Sequence, residues 1–279
     1  MVNKSKKNLL FVKFDASCSS CFMTNQTSLV DFLEHKAAFY ERPEFIEHDP
    51  IRIPHRFTKK QDIELAGFFA ALFSWGQRKT IIQKSNDLLE RMDFAPYDFI
   101  VNHREQDLKR MISFRHRTFQ PDDLFFLLSY LHEFYLNHES LEEAFLSEGQ
   151  FKSVESSFIQ FHHQLFNSPF ALIRTKKHIA TPAKQSTCKR LCMFLRWMVR
   201  SNEKGVDFGI WKRIPCSNLM IPLDIHVSRV ALRLGLLLNP KNNWQQVLDL
   251  THQLSTFDKH DPVKYDFALF NLGIEEHWK

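Results

Sequence analysis

Glycine is scarce in this sequence, with 7 among 279 residues where an average usage of roughly 7% would give about 20. Neither the glycine-rich fingerprint of dinucleotide-binding folds nor the glycine-rich phosphate loop of nucleotide hydrolases occurs in the chain. Segments that alternate apolar and polar residues, the pattern of a half-buried strand, are missing as well. These absences exclude the common nucleotide-binding α/β classes, and the prevailing helical periodicity predicts an all-α fold.

Long apolar runs and a secretory signal are absent too. The longest nearly apolar run, residues 66–76, is far below the roughly 18–20 residues that a membrane-spanning helix needs. The apolar stretch near the N-terminus, residues 9–12, is also shorter than the core of a signal peptide, which takes about 7–15 residues. We therefore expect residues 1–22 to be a flexible tail, with Met23 as an alternative start, and the protein to be cytoplasmic with no membrane partner.

The five cysteines do not form the pattern of a disulfide framework. Their number is odd and the chain is long, which is typical of a protein in a reducing compartment. Cys18 and Cys21 have the spacing of half a zinc site, but no second pair matches them, so no metal is expected. Cys188 and Cys192 lie four residues apart on a predicted helix, where we interpret them as small core residues.

Basic residues are concentrated in one part of the chain. The net charge is +5, yet residues 174–213 alone carry eleven Lys or Arg and two acids, a net charge of +9. The remainder of the chain therefore carries −4. A basic stretch in an otherwise acidic protein is typical of a binder of polyanions such as nucleic acids. The alternative is a solvated helix face rich in Lys and Arg.

Two residues in and beyond this stretch could form a catalytic pair. Apolar positions predict a helix over residues 186–200 with Ser186 as its N-cap, which puts Lys189 at the third helical position. There the helix dipole and the neighbouring Arg190 both disfavour the ammonium form, as a nucleophilic amine requires. Asp224 precedes the next amphipathic helix as an N-cap and could hold a carboxylate at the mouth of a cleft. A solvated lysine and a purely structural cap are the alternative.

Residues 222–230, which read PLDIHVSRV, resemble the Val/Leu-Asp-x-His-Val-x-Arg-Val segment of the helix-hairpin-helix DNA glycosylases, such as endonuclease III. In that superfamily the aspartate caps a helix and is essential for catalysis, so the resemblance implies this role for Asp224. Residues 187–191 resemble the segment that carries the superfamily's Schiff-base lysine, which implies that role for Lys189.

Two departures from most of the superfamily fit one of its branches, the archaeal 8-oxoguanine DNA glycosylases. The usual Leu-Pro-Gly-x-Gly hairpin is absent, since residues 181–187 read TPAKQST, and the lysine and the aspartate stand further apart than in most members. The branch carries an aspartate and, four residues later, an aromatic on a C-terminal helix, which implies that Asp266 and Phe270 read and stack on the base. Residues 72–77, which read LFSWGQ, resemble a segment that lines the superfamily's DNA cleft and imply a place for Gln77 near the flipped nucleotide.

As a whole, the chain is similar to a bacterial family of unassigned function that is related to these archaeal enzymes. The resemblance implies a two-lobed helical fold with a central cleft, built as a single unit over residues 23–279. The middle lobe would span about 77–200, and residues 23–76 and 201–279 would form the other lobe. The predicted helices from about 100 to 170 match no part of the superfamily.

The function that the resemblance implies is base-excision DNA repair. Lys189 would attack C1′ of a nucleotide flipped out of double-stranded DNA and form a Schiff base, releasing an oxidised purine such as 8-oxoguanine, with or without AP-lyase activity. Asp224 would help to deprotonate the lysine and would stabilise the oxocarbenium-like charge. The four-cysteine iron–sulfur loop is absent after Cys216, so no cofactor is expected, and we expect a monomer. The candidate phosphate contacts are Arg174, Lys176, Lys177, Arg196 and Arg200.

Other interpretations are open at this point. The missing hairpin glycines, whose amides normally hold a phosphate, favour a non-catalytic nucleic-acid-binding protein, and a helical interaction protein is a third hypothesis. Asp266 could instead form a salt bridge with a nearby cation, and Trp75 and Trp197 are interpreted as core residues. The His-Asp dipeptides at 48–49 and 260–261 are similar to those of metal phosphohydrolases, although each lies beside a proline in a predicted loop.

Overall fold

The computed structural model describes residues 19–168 and 171–278, and this part of the chain is all-α, as predicted. It contains no β-strand, only two isolated bridges between residues three apart. None of its helices has both the length and the apolar character needed to cross a bilayer. The α-helices are α1 (Ser19–Tyr40), α2 (Lys60–Phe73), α3 (Arg78–Arg91), α4 (Pro96–Asn102), α5 (Glu105–Leu108), α6 (Pro121–Tyr135), α7 (Val154–Phe166), α8 (Lys189–Val199), α9 (Ile225–Arg233), α10 (Trp244–Ser255) and α11 (Asp266–Ile274).

The N-terminal part of the structure corrects two expectations. α1 begins at Ser19 and so includes the last residues of the expected tail, whereas residues 1–18, which include Cys18, lie outside the described residues. The predicted loop over residues 48–54 is part of a run of three short 3-10 helices. Each of the three begins with a proline, whose fixed φ suits a first helical position.

Two helices, α4 and α10, lie where we made no prediction from the apolar pattern. α4 is only seven residues long, which is too short to show a periodicity, and it begins with Pro96. α10 begins at a conventional cap, since the Asn243 side chain accepts a hydrogen bond from the Gln246 amide at 3.1 Å. Its capping residue and its buried apolar stripe were both visible in the sequence.

The helices pack around one hydrophobic core. α11 packs against α1 and α9, and α2 packs against α3, α4 and α8. We expected α2 in the lobe formed by residues 23–76 and 201–279. It contacts helices that were expected in the middle lobe. Phenylalanine supplies much of the core, and several of these rings are almost fully buried: Phe69, Phe73, Phe114, Phe119, Phe145, Phe158, Phe161 and Phe194.

A buried carboxylate ties the middle helices to α2. Glu64 of α2 is fully buried, and burial raises the pKa of its carboxyl group above the ordinary value, although hydrogen bonds and the charge of Lys60 oppose that rise. Its carboxylate accepts hydrogen bonds from four donors. These donors, at 2.5–3.1 Å, are the hydroxyl groups of Tyr135 and Ser140, the backbone amide of Leu141 and the indole of Trp211. The helices between residues 100 and 170 are therefore part of the same core as α2.

Arg196 of α8 and Arg200, which directly follows this helix, are buried, which corrects the expectation that they contact DNA phosphates. Their side chains are only 7% and 5% exposed. Although burial opposes it, the carboxylate of Asp261 and its neighbours hold the pKa of Arg200 above its ordinary value. Arg200 forms ion pairs with Glu41 at 2.8 Å, Asp207 at 2.6 Å and Asp261 at 2.7 Å. Both guanidinium groups are therefore used inside the protein.

Replacing Arg200 with methionine is expected to lower the free energy of unfolding by roughly 3–5 kcal/mol, because it leaves buried carboxylates without their cation. Urea unfolding followed by circular dichroism measures this loss. The matched control is Lys204→Met, at an exposed cation four residues further along the chain, which should change stability by no more than about 0.5 kcal/mol. Equal stability of the two variants would show that the Arg200 cluster does not stabilise the fold.

Candidate active site

The turn between α2 and α3 is built on the carbonyl groups that end α2. A helix leaves its last carbonyls without partners inside the helix, and side chains from other segments supply them here. The Arg190 guanidinium of α8 donates to the Leu72 carbonyl, and His116 Nε2 lies 3.0 Å from the Phe73 carbonyl oxygen. The first turn of α8 is thereby fixed against the end of α2.

Trp75 and Gly76 form the corner of this turn. Gly76 has a φ of +116°, which residues with a side chain avoid, and a Cβ there would lie 2.5 Å from Arg117 Nη1. The Arg117 guanidinium stacks over the Trp75 ring at 4.7 Å from its centroid. Trp75 is half-buried and not the core residue that we expected, whereas Trp197 is fully buried, as predicted.

Lys189 is the first residue of α8, not the third. Cys188, in a left-handed conformation with φ +49°, is the N-cap, and Ser186 Oγ accepts a hydrogen bond from the Cys188 amide at 3.3 Å. Lys189 is exposed, whereas burial lowers the pKa of its neighbour Arg190 to about 10. Cys188 and Cys192 are buried at 2% and 1% exposure, which confirms them as core residues. The start of α8 thus presents one accessible amine beside a fixed guanidinium.

Asp224 is the N-cap of α9, as predicted. Its Oδ1 accepts hydrogen bonds from the amides of His226 at 2.8 Å and Val227 at 3.0 Å. Its Oδ2 has no hydrogen-bond partner among the described residues, and the side chain is only partly buried. The cap therefore fixes the carboxylate in place and leaves one of its oxygens available.

Asp266 and Phe270 lie one turn apart on α11, which packs closely against the start of α9. A Cβ on Gly273 would lie 3.0 Å from the Cβ of His226, so the glycine permits this approach. The Phe270 ring contacts the His226 ring edge-on at 6.4 Å, and the Arg78 guanidinium lies 5.2 Å from its centroid. The Phe270 ring is thus held between the His226 ring and the Arg78 guanidinium.

These elements enclose one cavity of about 360 Å³. Lys189, Asp224, Asp266 and Phe270, which were singled out in separate parts of the sequence, all line it. Gln77, expected near the flipped nucleotide, is exposed and is not among the lining residues. The other lining residues are Asp49, Pro50, Ser74, Trp75, Gly76, Arg78, Ile81, Arg190, Met193, Arg196, Pro222, Ile225, His226 and Ile274.

Asp266 is engaged by a cation, in agreement with the alternative interpretation of this residue. It forms a buried ion pair with Arg196, which also lies 3.4 Å from Asp207. Burial raises the pKa of Asp266 to about 6, with the negative charge of Asp224 adding to the rise and Arg196 opposing it. Asp266 and Arg196 together form a largely internal wall of the cavity.

The remaining candidate phosphate contacts lie on one short 3-10 helix, Ile173–Lys177. Arg174 and Lys177 are exposed and Lys176 is partly buried. Arg174 lies 3.3 Å from Asp123 and donates to the Thr118 carbonyl, so part of its charge is compensated. Lys177 lines a second cavity of about 210 Å³ that also includes Lys189. Cations on this turn are thus placed beside the lysine end of the site.

The cavity residues that the sequence did not place at the site include three with polar or aromatic side chains suited to binding: Asp49, Trp75 and Arg78. Arg78 follows directly after the LFSWGQ segment, and its position there was a usable signal. Asp49 was noted only as part of a His-Asp dipeptide, and the fold alone brings it to the cavity. No group of three or more His, Cys, Asp or Glu side chains in the described part of the chain has the arrangement of a metal site.

Comparison with known proteins gives one match. A family model described as a protein of unknown function, DUF2400, matches residues 49–275. No curated protein and no solved structure matches the chain. The matched segment contains every residue that lines the cavity, from Asp49 to Ile274.

Proposed function

This chain belongs to the DUF2400 family, and we propose that it is a DNA glycosylase that excises an oxidised purine through Lys189. The observation that carries the proposal is the meeting of Lys189, Asp224, Asp266 and Phe270 at one cavity, although α8, α9 and α11 supply them from distant parts of the sequence. The cavity volume of about 360 Å³ falls within the roughly 300–1,000 Å³ of small-ligand sites, which suits a single flipped nucleotide.

The chemistry assigned to the pair is nucleophilic displacement at the sugar. The Lys189 amine forms a bond to C1′, and the glycosidic bond breaks with its electron pair leaving on the base. The free oxygen of Asp224 accepts a proton from the attacking amine, and its negative charge stabilises the positive charge that develops on the sugar. Ring opening of the sugar then gives the Schiff base that borohydride reduces.

The duplex is held by cations around the lysine end of the cavity. Lys177 and Lys189 are exposed there, and Arg174 and Lys176 belong to the same short 3-10 helix as Lys177. Affinity for duplex DNA depends mainly on such phosphate contacts. It falls as the salt concentration rises, because the counterions released from the DNA on binding then gain less entropy. The buried Arg196 and Arg200 have no part in this contact.

A non-catalytic nucleic-acid-binding protein is the second candidate function. The observation that favours it is the segment before α8, where residues 181–187, with the short 3-10 helix Pro182–Lys184, stand in place of the superfamily's glycine-containing hairpin turn. Without that turn and its glycines, the backbone amides that normally hold a phosphate are reorganised. Both candidates bind DNA with salt-dependent affinity, and only the first forms a covalent complex.

Borohydride trapping tests the proposal directly. The wild-type protein is incubated with labelled duplexes that contain 8-oxoguanine, an abasic site or only normal bases, in the presence of borohydride. We expect a covalent protein–DNA band with the first two duplexes and none with the third. Salt-dependent binding without a covalent band would overturn the role of Lys189 and support either the non-catalytic binder or a glycosylase that uses water as its nucleophile.

A further inference from the structure

The cavity has two chemically different ends. A neighbouring cavity of about 270 Å³ shares five residues with it: Asp49, Arg78, Arg196, Asp266 and Phe270. The cavity of about 210 Å³ on the other side shares Lys189 and its neighbour Arg190 instead. A nucleotide whose sugar lies at the lysine would therefore direct its base toward the end formed by Asp49, Asp266 and Phe270.

Two carboxylates are available at this base end, and one of them is already engaged. Asp266 is held by the buried ion pair with Arg196. Asp49 is partly buried between two of the short 3-10 helices, and its Oδ1 accepts a hydrogen bond from the Ile51 amide at 3.0 Å. Its Oδ2 has neither a hydrogen bond nor an ion pair with any described residue. Asp49 thus offers a fixed carboxylate oxygen that has no hydrogen-bond partner among the described residues.

We propose that Asp49 is the specificity-determining residue of the site, and that it selects purines which present an N–H donor on the edge of the five-membered ring. The proposal rests on the proposed glycosylase function. Guanine and adenine carry an acceptor lone pair at N7. A purine oxidised at C8 carries a hydrogen on N7, and this N–H can donate a hydrogen bond to the carboxylate. The same carboxylate repels the lone pair of a normal purine, so one group both attracts the lesion and rejects the undamaged base.

Asp266, the other carboxylate that could recognise the base, is less suited to accept a hydrogen bond from it. A carboxylate in a buried ion pair must give up part of its cation's interaction to bind a base, and breaking such a pair is costly. Asp49 forms no ion pair or hydrogen bond with Arg196, whose charge acts on it only from a distance, and its backbone contact uses only one oxygen. A flipped base therefore forms a more favourable hydrogen bond with Oδ2 of Asp49 than with Asp266.

The test is a comparison of equilibrium binding to two duplexes that cannot be cleaved. Each carries a 2′-fluoro substituent at the target nucleotide, on 8-oxoguanine in one duplex and on guanine in the other, and fluorescence anisotropy gives the two dissociation constants. We expect the wild type to prefer 8-oxoguanine by at least about tenfold. Asp49→Asn keeps the cap on Ile51 but presents an amide N–H to the base, so the preference should fall to one or invert.

Controls separate this role from a structural one. Asp49→Ser also keeps an acceptor for the Ile51 amide and should lose the preference without inverting it. Glu47→Gln, at an exposed carboxylate two residues away, should leave the preference at the wild-type value. Trapping on an abasic site involves no base, so Glu47→Gln should keep it at the wild-type value along with the preference.

Two results would overturn the proposal. These are a wild-type preference that survives in Asp49→Asn and a wild type that binds both duplexes equally. A separate result would contradict the proposed function itself: the wild type would form no covalent complex with the abasic-site duplex.

Discussion

Replacing Lys189 with glutamine is expected to abolish borohydride trapping on both the 8-oxoguanine and the abasic-site duplexes, with a loss of at least about 1,000-fold in the rate of complex formation. The reason is that the exposed amine at the start of α8 is the lysine that lines the cavity. Glutamine retains most of the side-chain length but has no nucleophilic lone pair. Single-turnover trapping with excess protein measures the effect without interference from product release.

A matched control for this variant lies in the same basic segment. Lys184 is also exposed and stands on the 3-10 helix Pro182–Lys184, but it does not line the cavity. Lys184→Gln removes the same charge and should keep trapping within about twofold of the wild type. If Lys189→Gln trapped as well as Lys184→Gln, the covalent intermediate would have to form on another residue, and Lys189 would lose its assigned role.

Replacing Asp224 with asparagine is expected to lower the single-turnover rate of base excision by about 10²–10⁴-fold, the usual contribution of a general base. Asparagine is as good an N-cap as aspartate, so the hydrogen bonds to the His226 and Val227 amides can persist and the melting temperature should change little. What is lost is the negative charge and the free carboxylate oxygen. Excision is measured by alkaline cleavage of a labelled 8-oxoguanine duplex.

The control for Asp224→Asn is an exchange of the same kind at another cap. Asn243 caps α10 through the Gln246 amide and is not among the residues that line the cavity. Asn243→Asp should leave excision unchanged, because helix capping as such has no part in the chemistry. Full excision by Asp224→Asn would mean that Asp224 is only a structural cap.

The helices around the site were predictable because their signals are local. Asp224 is followed by an amphipathic pattern that ends near Gly235, and the structure has α9 there with Asp224 as its cap. The start of α8 was less accurately predicted. Ser186 has a good capping side chain, but Cys188 takes the left-handed conformation at the N-cap and shifts the helix start to Lys189. A left-handed N-cap that makes no side-chain hydrogen bond has no signature in the local sequence pattern.

Charge was the feature that sequence alone interpreted least well. The basic stretch suggested a nucleic-acid surface, yet Arg196 and Arg200 lie inside the protein. Their partners come from residues 41, 207, 261 and 266, and only the fold brings these acids to α8. A count of cations along the chain cannot distinguish a solvated guanidinium from a buried one, because the distinction depends on acids that are distant in sequence.

The sequence by itself determined the all-α class, most helix positions and the chemical types at the site, because periodicity and caps are properties of neighbouring residues. The tertiary structure alone decided that Lys189, Asp224 and Phe270 line one cavity, since α8, α9 and α11 meet there through long-range packing. It also decided that Asp49 joins them and that Gln77 does not. Both outcomes depend on how the turns that carry these two residues pack against the core, and no local pattern encodes that packing.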